Sequence, residues 1–563
     1  MFVKDLNVVI AGSAGEGIQT IGDILAKTLA LQGYSVFTWN EYESRIRGGQ
    51  NSYSIRVGEE PNNAPLLNAD ILLAMNGGAV KKYRGLLKEQ GVLIAQNEAK
   101  EAKEDVIGIP FDEIAKEGVG EEIYANTVAV GALTSVLGVD LQTLKRVLER
   151  IFSEKGKDVL EANYKAAEIG FERAVCDCGD RCPWTLPPRR ATHFLISGNE
   201  AIPIAAAFAG CRFISAYPMS PSTGIITFLA KEQDRLGVFC EQAEDEIGAI
   251  NMALGASYAG ARAMTATSGG GFALMTEGIS LAGMTETPLV IVLAQRPGPA
   301  TGLPTRTAQG DLLFAIHAGH GEFPKLVLAP SDAKDAFQKI VRAFNLADKY
   351  QTPVILLTDQ FLADARYSYR DFENSDTRPV YYLADPSAIR EYRRYQLTSD
   401  GISPRLYPGQ GKHLVCVDSD EHDEEGHITE DLPETVQSMV EKRLAKFRKL
   451  RSEVRPPEEF CSDDMDLILV GWGSSRAAIL EGIRLLEEKN VRAGMIHFTE
   501  VWPLPEYHFP EGPSLWTVES NATGQLARLL RSEFGVSFEK TISRYDGLPL
   551  TGEYIARQIY AQR

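Results

Sequence analysis

Three times along this chain a short apolar run ends in a turn rich in glycine, serine or proline and gives way at once to a helical pattern. DLNVVIAG (5–12) leads into a glycine-rich turn and the helix pattern IQTIGDILAKTLALQG, which stops at Gly33. CRFISA (211–216) leads into YPMSPST, and DLILVGW (466–472) leads into GSS and RAAILEGIRLLEEKN. Short apolar runs bounded by turns in this way read as strands. Their alternation with helices predicts an α/β chain with mostly parallel sheets. YSVFTWN, ADILLAMN, GVLIAQN and DVIGIPF extend the first series, and GVFCEQ, RAMTATS, PLVIVLAQ, PKLVLAP and TPVILLTD the second. The reading therefore sets out three α/β domains at 1–175, 191–370 and 461–563. A Cys/Pro linker at 176–190 joins the first two. A connecting arm at 371–460, poor in periodicity, ends in the charged helix VQSMVEKRLAKFRKLRSEV and joins the last two.

Composition excludes several function classes. With 58 basic and 76 acidic residues the net charge is -18, which opposes binding to nucleic acid and to anionic membranes. No stretch approaches the roughly 20 apolar residues of a membrane span, and MFVKDLNVVIAG has neither the basic start nor the cleavage pattern of a secretion signal. A cytoplasmic location is the expectation. Seven scattered cysteines do not read as a disulfide framework. Cys176, Cys178 and Cys182 in CDCGDRC offer three of the four ligands of a metal site, or else free thiols in a linker. No C-x-x-C-x-x-C run is present to hold an iron–sulfur cluster in this chain.

Two regions carry the groups that chemistry needs. Gly12, Gly15 and Gly17 form a G-x-x-G-x-G turn between strand and helix, whose free amides suit a phosphate, although Glu16 places a negative charge there. Arg45 and Arg47 beside Gly48 and Gly49 add cations, so that a ligand with a phosphate-bearing tail such as coenzyme A fits. The alternative is that the glycines serve helix–strand packing and the arginines pair with Glu41 and Glu43. In the second region, Tyr217-Pro218-Met219-Ser220-Pro221 presents hydroxyls at the carboxyl end of a strand, where open α/β sheets bind ligands. EQAEDEIGA places four acids before a helix of small residues. Glu246 borders the apolar part of that helix, and its burial would raise its pKa and make it a proton donor or acceptor.

Taken in order, YPMSPST, EDEIGA, TSGGGF, QRPGPATGLPT and DSDEHDEEGHITED resemble the alpha subunit of 2-oxoacid:ferredoxin oxidoreductases, above all those acting on 2-oxoglutarate. AGSAGEGIQTIG with RIRGGQ resembles the gamma domain of the same family, here fused at the N-terminal side, and VWPLP with ESNATGQL resembles a transketolase C-terminal domain with a role in assembly. The resemblance implies thiamine diphosphate with Mg2+, coenzyme A as co-substrate and electrons passed to ferredoxin. Glu246 is implied to activate the cofactor, with Tyr217 and Ser268 among its contacts. Arg296 and Ser220 are implied to bind the 2-oxoacid, and Arg306 the distal carboxylate or coenzyme A. Ser220 replaces the threonine usual in this motif, and glycine fills the TSGGG loop where proline is common. The chain contains no GDG motif to hold magnesium on the diphosphate. That motif and a 4Fe–4S cluster are therefore expected on a beta subunit, in a dimer of alpha–beta pairs. Two other readings remain open, a nucleotide- or flavin-binding electron-transfer subunit and a scaffold subunit with degenerate sites. Within the family, pyruvate, branched-chain and aryl 2-oxoacids remain open as substrates.

Overall fold

The computed structural model describes residues 5–43, 49–96, 106–178, 181–372, 377–429, 432–462 and 464–562, with backbone alone at 176–178. The chain divides into two compact units. The first comprises Met1–Ile196, Ala365–Glu373 and Thr551–Glu553, and the second holds the remainder.

The first unit is built on an eight-stranded sheet in the order Val106–Gly108, Leu87–Ala95, Ala69–Ala74, Asp5–Ser13, Gln50–Gly58, Ser35–Glu41, Arg366–Tyr369 and Phe194–Ser197. The first four of these run parallel, but Gln50–Gly58 is antiparallel to both Asp5–Ser13 and Ser35–Glu41. The expected mostly parallel sheet is thus a mixed one. The segment between Glu41 and Gln50 is too short for the dozen or more residues of a parallel crossover, so these strands pair as a hairpin. Arg366–Tyr369 pairs antiparallel with Ser35–Glu41. The sheet thereby takes strands from both ends of the segment read as the second domain, a partnership that no local pattern encodes.

The second unit contains two sheets. Seven strands follow the order Glu500–Trp502, Leu326–Leu328, Pro353–Asp359, Leu289–Gln295, Arg262–Thr267, Cys211–Ala216 and Phe239–Gln242. All are parallel except the edge strand Glu500–Trp502, contributed by the VWPLP segment. Every residue of Leu289–Gln295 and Pro353–Asp359 is buried, which is why both read as unbroken apolar runs. The five-stranded sheet, Glu458–Phe460, Ala493–Phe498, Leu467–Trp472, Ser514–Glu519 and Lys540–Ser543, shares a core with it. Leu293, Val327 and Ile355 pack in one cluster with Val470, Trp472 and Ile496. No helix among the described residues is long and apolar enough to cross a membrane.

The helix Pro433–Glu453 closes the connecting arm. Its sequence reads as a solvated charged helix, yet Lys442, Arg443 and Lys446 are buried.

Candidate active site

The parallel strands of the second unit bring four loops to their carboxyl ends, and the local sequence decides what each loop presents. Asp245 caps the helix Glu246–Tyr258, its side chain accepting the Gly248 N–H at 2.7 Å. That cap fixes Glu246 in the first turn, facing inward at 3% exposure, while Glu241, Glu244 and Asp245 remain exposed. The Glu246 carboxyl lies against Gly271, where any Cβ would collide with it and with Thr267 Oγ1. Its Oε1 is buried with no hydrogen-bond partner. Burial raises the pKa of Glu246, a bond from its own N–H opposes the rise, and the charge of Asp245 adds to it. The group is sealed from water without lying deep in the core.

Ser268 follows the strand Arg262–Thr267 directly and precedes the short helix Gly269–Leu274. It is fully buried, and its Oγ also lacks a partner. After the neighbouring strand Cys211–Ala216, Tyr217 is 39% exposed and Ser220 is exposed in a turn whose Ser220–Pro221 bond is cis. Arg296 Nη1 donates to the Ser220 carbonyl at 2.6 Å, tying the ends of two strands together. Burial lowers the Arg296 pKa while leaving it a cation. Arg306 lies further along the loop that starts at Arg296; its N–H donates to Leu303 O at 3.1 Å and its side chain packs over Gly547.

The glycine-rich turn of the first unit borders a pocket of about 350 Å³ lined by Gly15, Gly17, Thr20, Asn40, Glu43 and Ser52 among others. Gly17, at φ 73°, caps the helix Ile18–Gln32 with no side-chain acceptor, leaving the first amides of that helix free of a cap. Glu16 does not stand over them. Its carboxylate folds back to accept the Ser13 N–H at 2.7 Å and Asn76 Nδ2 at 2.6 Å, so the negative charge expected on the anion site is turned into the turn itself. Gly12 lies outside the pocket, packed on Ile18 and Met75. Lys82 pairs with Glu43 and Glu41 at 3.3 and 3.8 Å. Arg45 and Arg47 lie outside the described residues.

Cys182 is disulfide-bonded, which removes its sulfur from a thiolate ligand set. The side chains of Cys176 and Cys178 lie outside the described residues. No group of three or more metal-ligating side chains occurs among the described residues.

Comparison with known proteins identifies the family. Residues 204–442 match the family described as pyruvate flavodoxin/ferredoxin oxidoreductase, thiamine diphosphate-binding, and residues 7–173 match pyruvate ferredoxin/flavodoxin oxidoreductase. The alpha subunit of 2-oxoacid:ferredoxin oxidoreductase 2 from Aeropyrum pernix is 32% identical, over 97% of this chain and 96% of that one. The 2-oxoglutarate oxidoreductase subunit KorA of Mycobacterium tuberculosis is 30% identical, over 99% of this chain and 91% of that one. The chain belongs to the 2-oxoacid:ferredoxin oxidoreductase family, as an alpha subunit. Its fold agrees throughout with the solved 2-oxoglutarate:ferredoxin oxidoreductase of Magnetococcus marinus, which has 2-oxoglutarate, coenzyme A and succinyl-CoA bound. The TM-score is 0.90 and the identity 32%, over 100% of both chains.

In this alpha subunit the thiamine diphosphate-binding region contains Tyr217, Ser220, Glu246, Ser268, Arg296 and Arg306. The pyrimidine half of that cofactor fits the residues present. Among the described residues two buried oxygens, on Glu246 and Ser268, have no partner, and the lack of a side chain at Gly271 makes room for the Glu246 carboxyl. The structure joins Ser220 to Arg296 and Glu246 to the Thr267–Gly271 turn. One acid at this edge escaped the sequence reading. Asp311 follows a loop rich in glycine and proline, and AQGD is too ordinary a string to single it out, yet its Oδ2 is buried without a partner beside the same glycine turn.

Proposed function

We propose that this alpha subunit oxidatively decarboxylates a 2-oxoacid, 2-oxoglutarate foremost, to its acyl-CoA and passes the electrons to ferredoxin. A beta subunit supplies the GDG motif with Mg2+ and the 4Fe–4S cluster, in a dimer of alpha–beta pairs. The observation that carries the reading is the Glu246 carboxyl, buried and with its Oε1 unpartnered over a turn from which a side chain is excluded. Bound thiamine diphosphate supplies a centre that attacks the 2-keto carbon and accepts the electrons left when carbon dioxide departs. Glu246, whose pKa burial raises, in its protonated form donates a hydrogen bond to a ring nitrogen of the pyrimidine and can hold or release that proton as the ring requires. Ser268 Oγ is positioned for a second polar contact, and Tyr217 stands at the rim.

Arg296 anchors the substrate carboxylate. Its Nη1 already holds the Ser220 carbonyl, which fixes the plane of the guanidinium and leaves further N–H groups for a charged ligand. Ser220, exposed in the same turn, carries a hydroxyl that suits the keto oxygen. Arg306 receives the distal carboxylate of a dicarboxylic substrate, or coenzyme A. In the first unit the Gly15–Gly17 turn, with Arg47, is assigned to the phosphate-bearing part of coenzyme A, because Glu16 folds inward and the carboxylates that line the pocket, Glu41 and Glu43, are paired with Lys82. The choice of 2-oxoglutarate rests on the relatives that carry its name.

The deciding assay is coenzyme A-dependent reduction of a viologen dye across a panel of 2-oxoacids, with this chain alone and assembled with its beta subunit. Turnover in the pair only, highest with 2-oxoglutarate, is expected. A different preferred acid changes the substrate and keeps the mechanism. No turnover in a thiamine-loaded, iron-replete pair rejects the reading.

A further inference from the structure

Asp311 begins the helix Leu312–His317 but does not cap it: its side chain makes no hydrogen bond to the first turn, the usual use of an aspartate in that place. The carboxyl turns instead toward Gly269, where a Cβ would stand 2.8 Å from Oδ2 and 3.2 Å from Oδ1. Oδ2 is sealed from solvent and has no partner. Glu246 lies against Gly271 and Asp311 against Gly269, so two acids with unpaired, buried oxygens border one turn of the chain. A buried polar atom without a partner costs stability, and two at one turn require an explanation.

The backbone around Asp311 is held with unusual completeness. Its N–H donates to Gln295 Oε1 at 2.9 Å, and Gln295 Nε2 donates to Thr358 O at 3.1 Å. Two residues earlier, Gln309 Nε2 donates to Trp472 O at 2.9 Å and its Oε1 accepts the Ser520 N–H at 3.0 Å. Gln525 Nε2 donates to Gly310 O at 2.6 Å while its Oε1 accepts the Leu313 N–H at 3.0 Å. The ESNATGQL segment, whose resemblance suggested only assembly, thus clamps the loop on both sides of Asp311. The side chain that this clamp positions is the one left without a bond.

We infer that Asp311 is a second cofactor-holding acid of the thiamine site, pairing in its neutral form with the donor–acceptor edge of the aminopyrimidine ring from the Gly269 side of the turn. The inference rests on the reading of the Glu246 site as a thiamine site. A neutral carboxyl offers one O–H donor and one carbonyl acceptor, the complement of a ring nitrogen beside an exocyclic amino group. Burial pushes the Asp311 pKa up to about 6, and no neighbouring charge contributes; the groups that face it, Gln295 and Gly269, are neutral. An amide has the same donor and acceptor and does not ionise, so Asp311→Asn imitates the neutral acid at every pH.

The test is calorimetric titration of thiamine diphosphate, with Mg2+, into the assembled alpha–beta complex carrying wild-type Asp311, Asp311→Asn or Asp311→Ala. At about pH 6, Asp311→Ala is expected to weaken binding about tenfold, the loss of one buried pair of hydrogen bonds, and Asp311→Asn to stay within roughly twofold of wild type. Toward about pH 8 the wild type should weaken as the acid ionises, while Asp311→Asn, which shares only the ionisation of Glu246 with the wild type, weakens less and becomes the tighter binder. An unchanged constant for Asp311→Ala, or an Asp311→Asn as weak as Asp311→Ala, overturns the inference. So does release of the beta subunit from Asp311→Ala at saturating cofactor, which would make Asp311 an interface residue. A wild-type complex that binds no thiamine diphosphate overturns the functional reading itself.

Discussion

Two glutamates in the second unit are equally hidden from water and serve opposite ends. Glu286, in the MTETP turn, is 1% exposed and adopts a positive φ of 50°, an unfavourable conformation for a residue with a side chain. Lys442 Nζ reaches both of its carboxylate oxygens, at 2.6 and 2.8 Å, Lys446 pairs with it as well, and Arg394 donates to its backbone carbonyl at 2.7 Å. Burial would raise the pKa of Glu286, but the two ammonium groups and the guanidinium outweigh it and hold the carboxyl well below the usual range. Glu246 is 3% exposed, has an oxygen with no partner among the described residues, and its pKa moves up. Where the chain supplies the cations, a buried carboxylate is a fastening for the connecting arm. Where the described residues supply none, an oxygen is left unmet, and that difference, on which the proposed cofactor role of Glu246 rests, separates the two glutamates more clearly than burial does.

The largest effect should come from Glu246. Glu246→Gln in the assembled complex is expected to lower the turnover number of viologen reduction by about a thousandfold, within the span of a lost acid–base group, with the melting temperature unchanged or raised. Turnover within a few-fold of wild type would remove Glu246 from the chemistry and with it the contrast. Glu286→Gln should do the reverse. It leaves Lys442 and Lys446 buried beside a neutral amide, so chemical denaturation should register a loss of about 3–4 kcal/mol, while each folded molecule turns over normally. A folded but inactive Glu286→Gln would place that cluster in the mechanism and break the comparison from the other side.

The two glutamates were not equally legible. Glu246 announces itself in the sequence because the acids of EQAEDEIGA precede a helix of small residues, and the first acid on the apolar side of a capped helix has nowhere to point but inward. The strands that carry the site were legible for a related reason, since buried parallel strands cannot be other than continuously apolar. Glu286 gave no such signal. Its partners lie 156 and 160 residues away on a helix whose lysines look like a solvated face, and only the fold reveals that they turn inward. Asp311 stayed hidden because its meaning depends on a bond it does not make. Likewise, neither the hairpin in the first sheet nor the strands it takes from Phe194–Ser197 and Arg366–Tyr369 could be read from local pattern, which specifies a strand but not its neighbour.

The smallest effect is the sharpest test of the comparison, because its sign differs between the two sites. A carboxyl whose pKa is raised on folding binds more protons folded than unfolded once pH exceeds its ordinary value, so stability falls as pH rises through that window. Glu246 is such a group, and in the cofactor-free chain Glu246→Gln should be more stable than wild type near neutral pH, by about 1 kcal/mol in urea unfolding. That gain should vanish as pH falls below the ordinary carboxylate range, where wild type is protonated in both states. For Glu286, whose pKa is depressed, the ionised carboxylate contributes stability above its ordinary pKa, and that contribution is lost as pH falls toward the folded value. The penalty of Glu286→Gln should therefore also shrink in acid, from the opposite sign. If Glu246→Gln instead destabilised the cofactor-free chain at neutral pH, Glu246 would already be fully engaged within the protein. It would then be a second Glu286, with no unmet bond for a cofactor to satisfy.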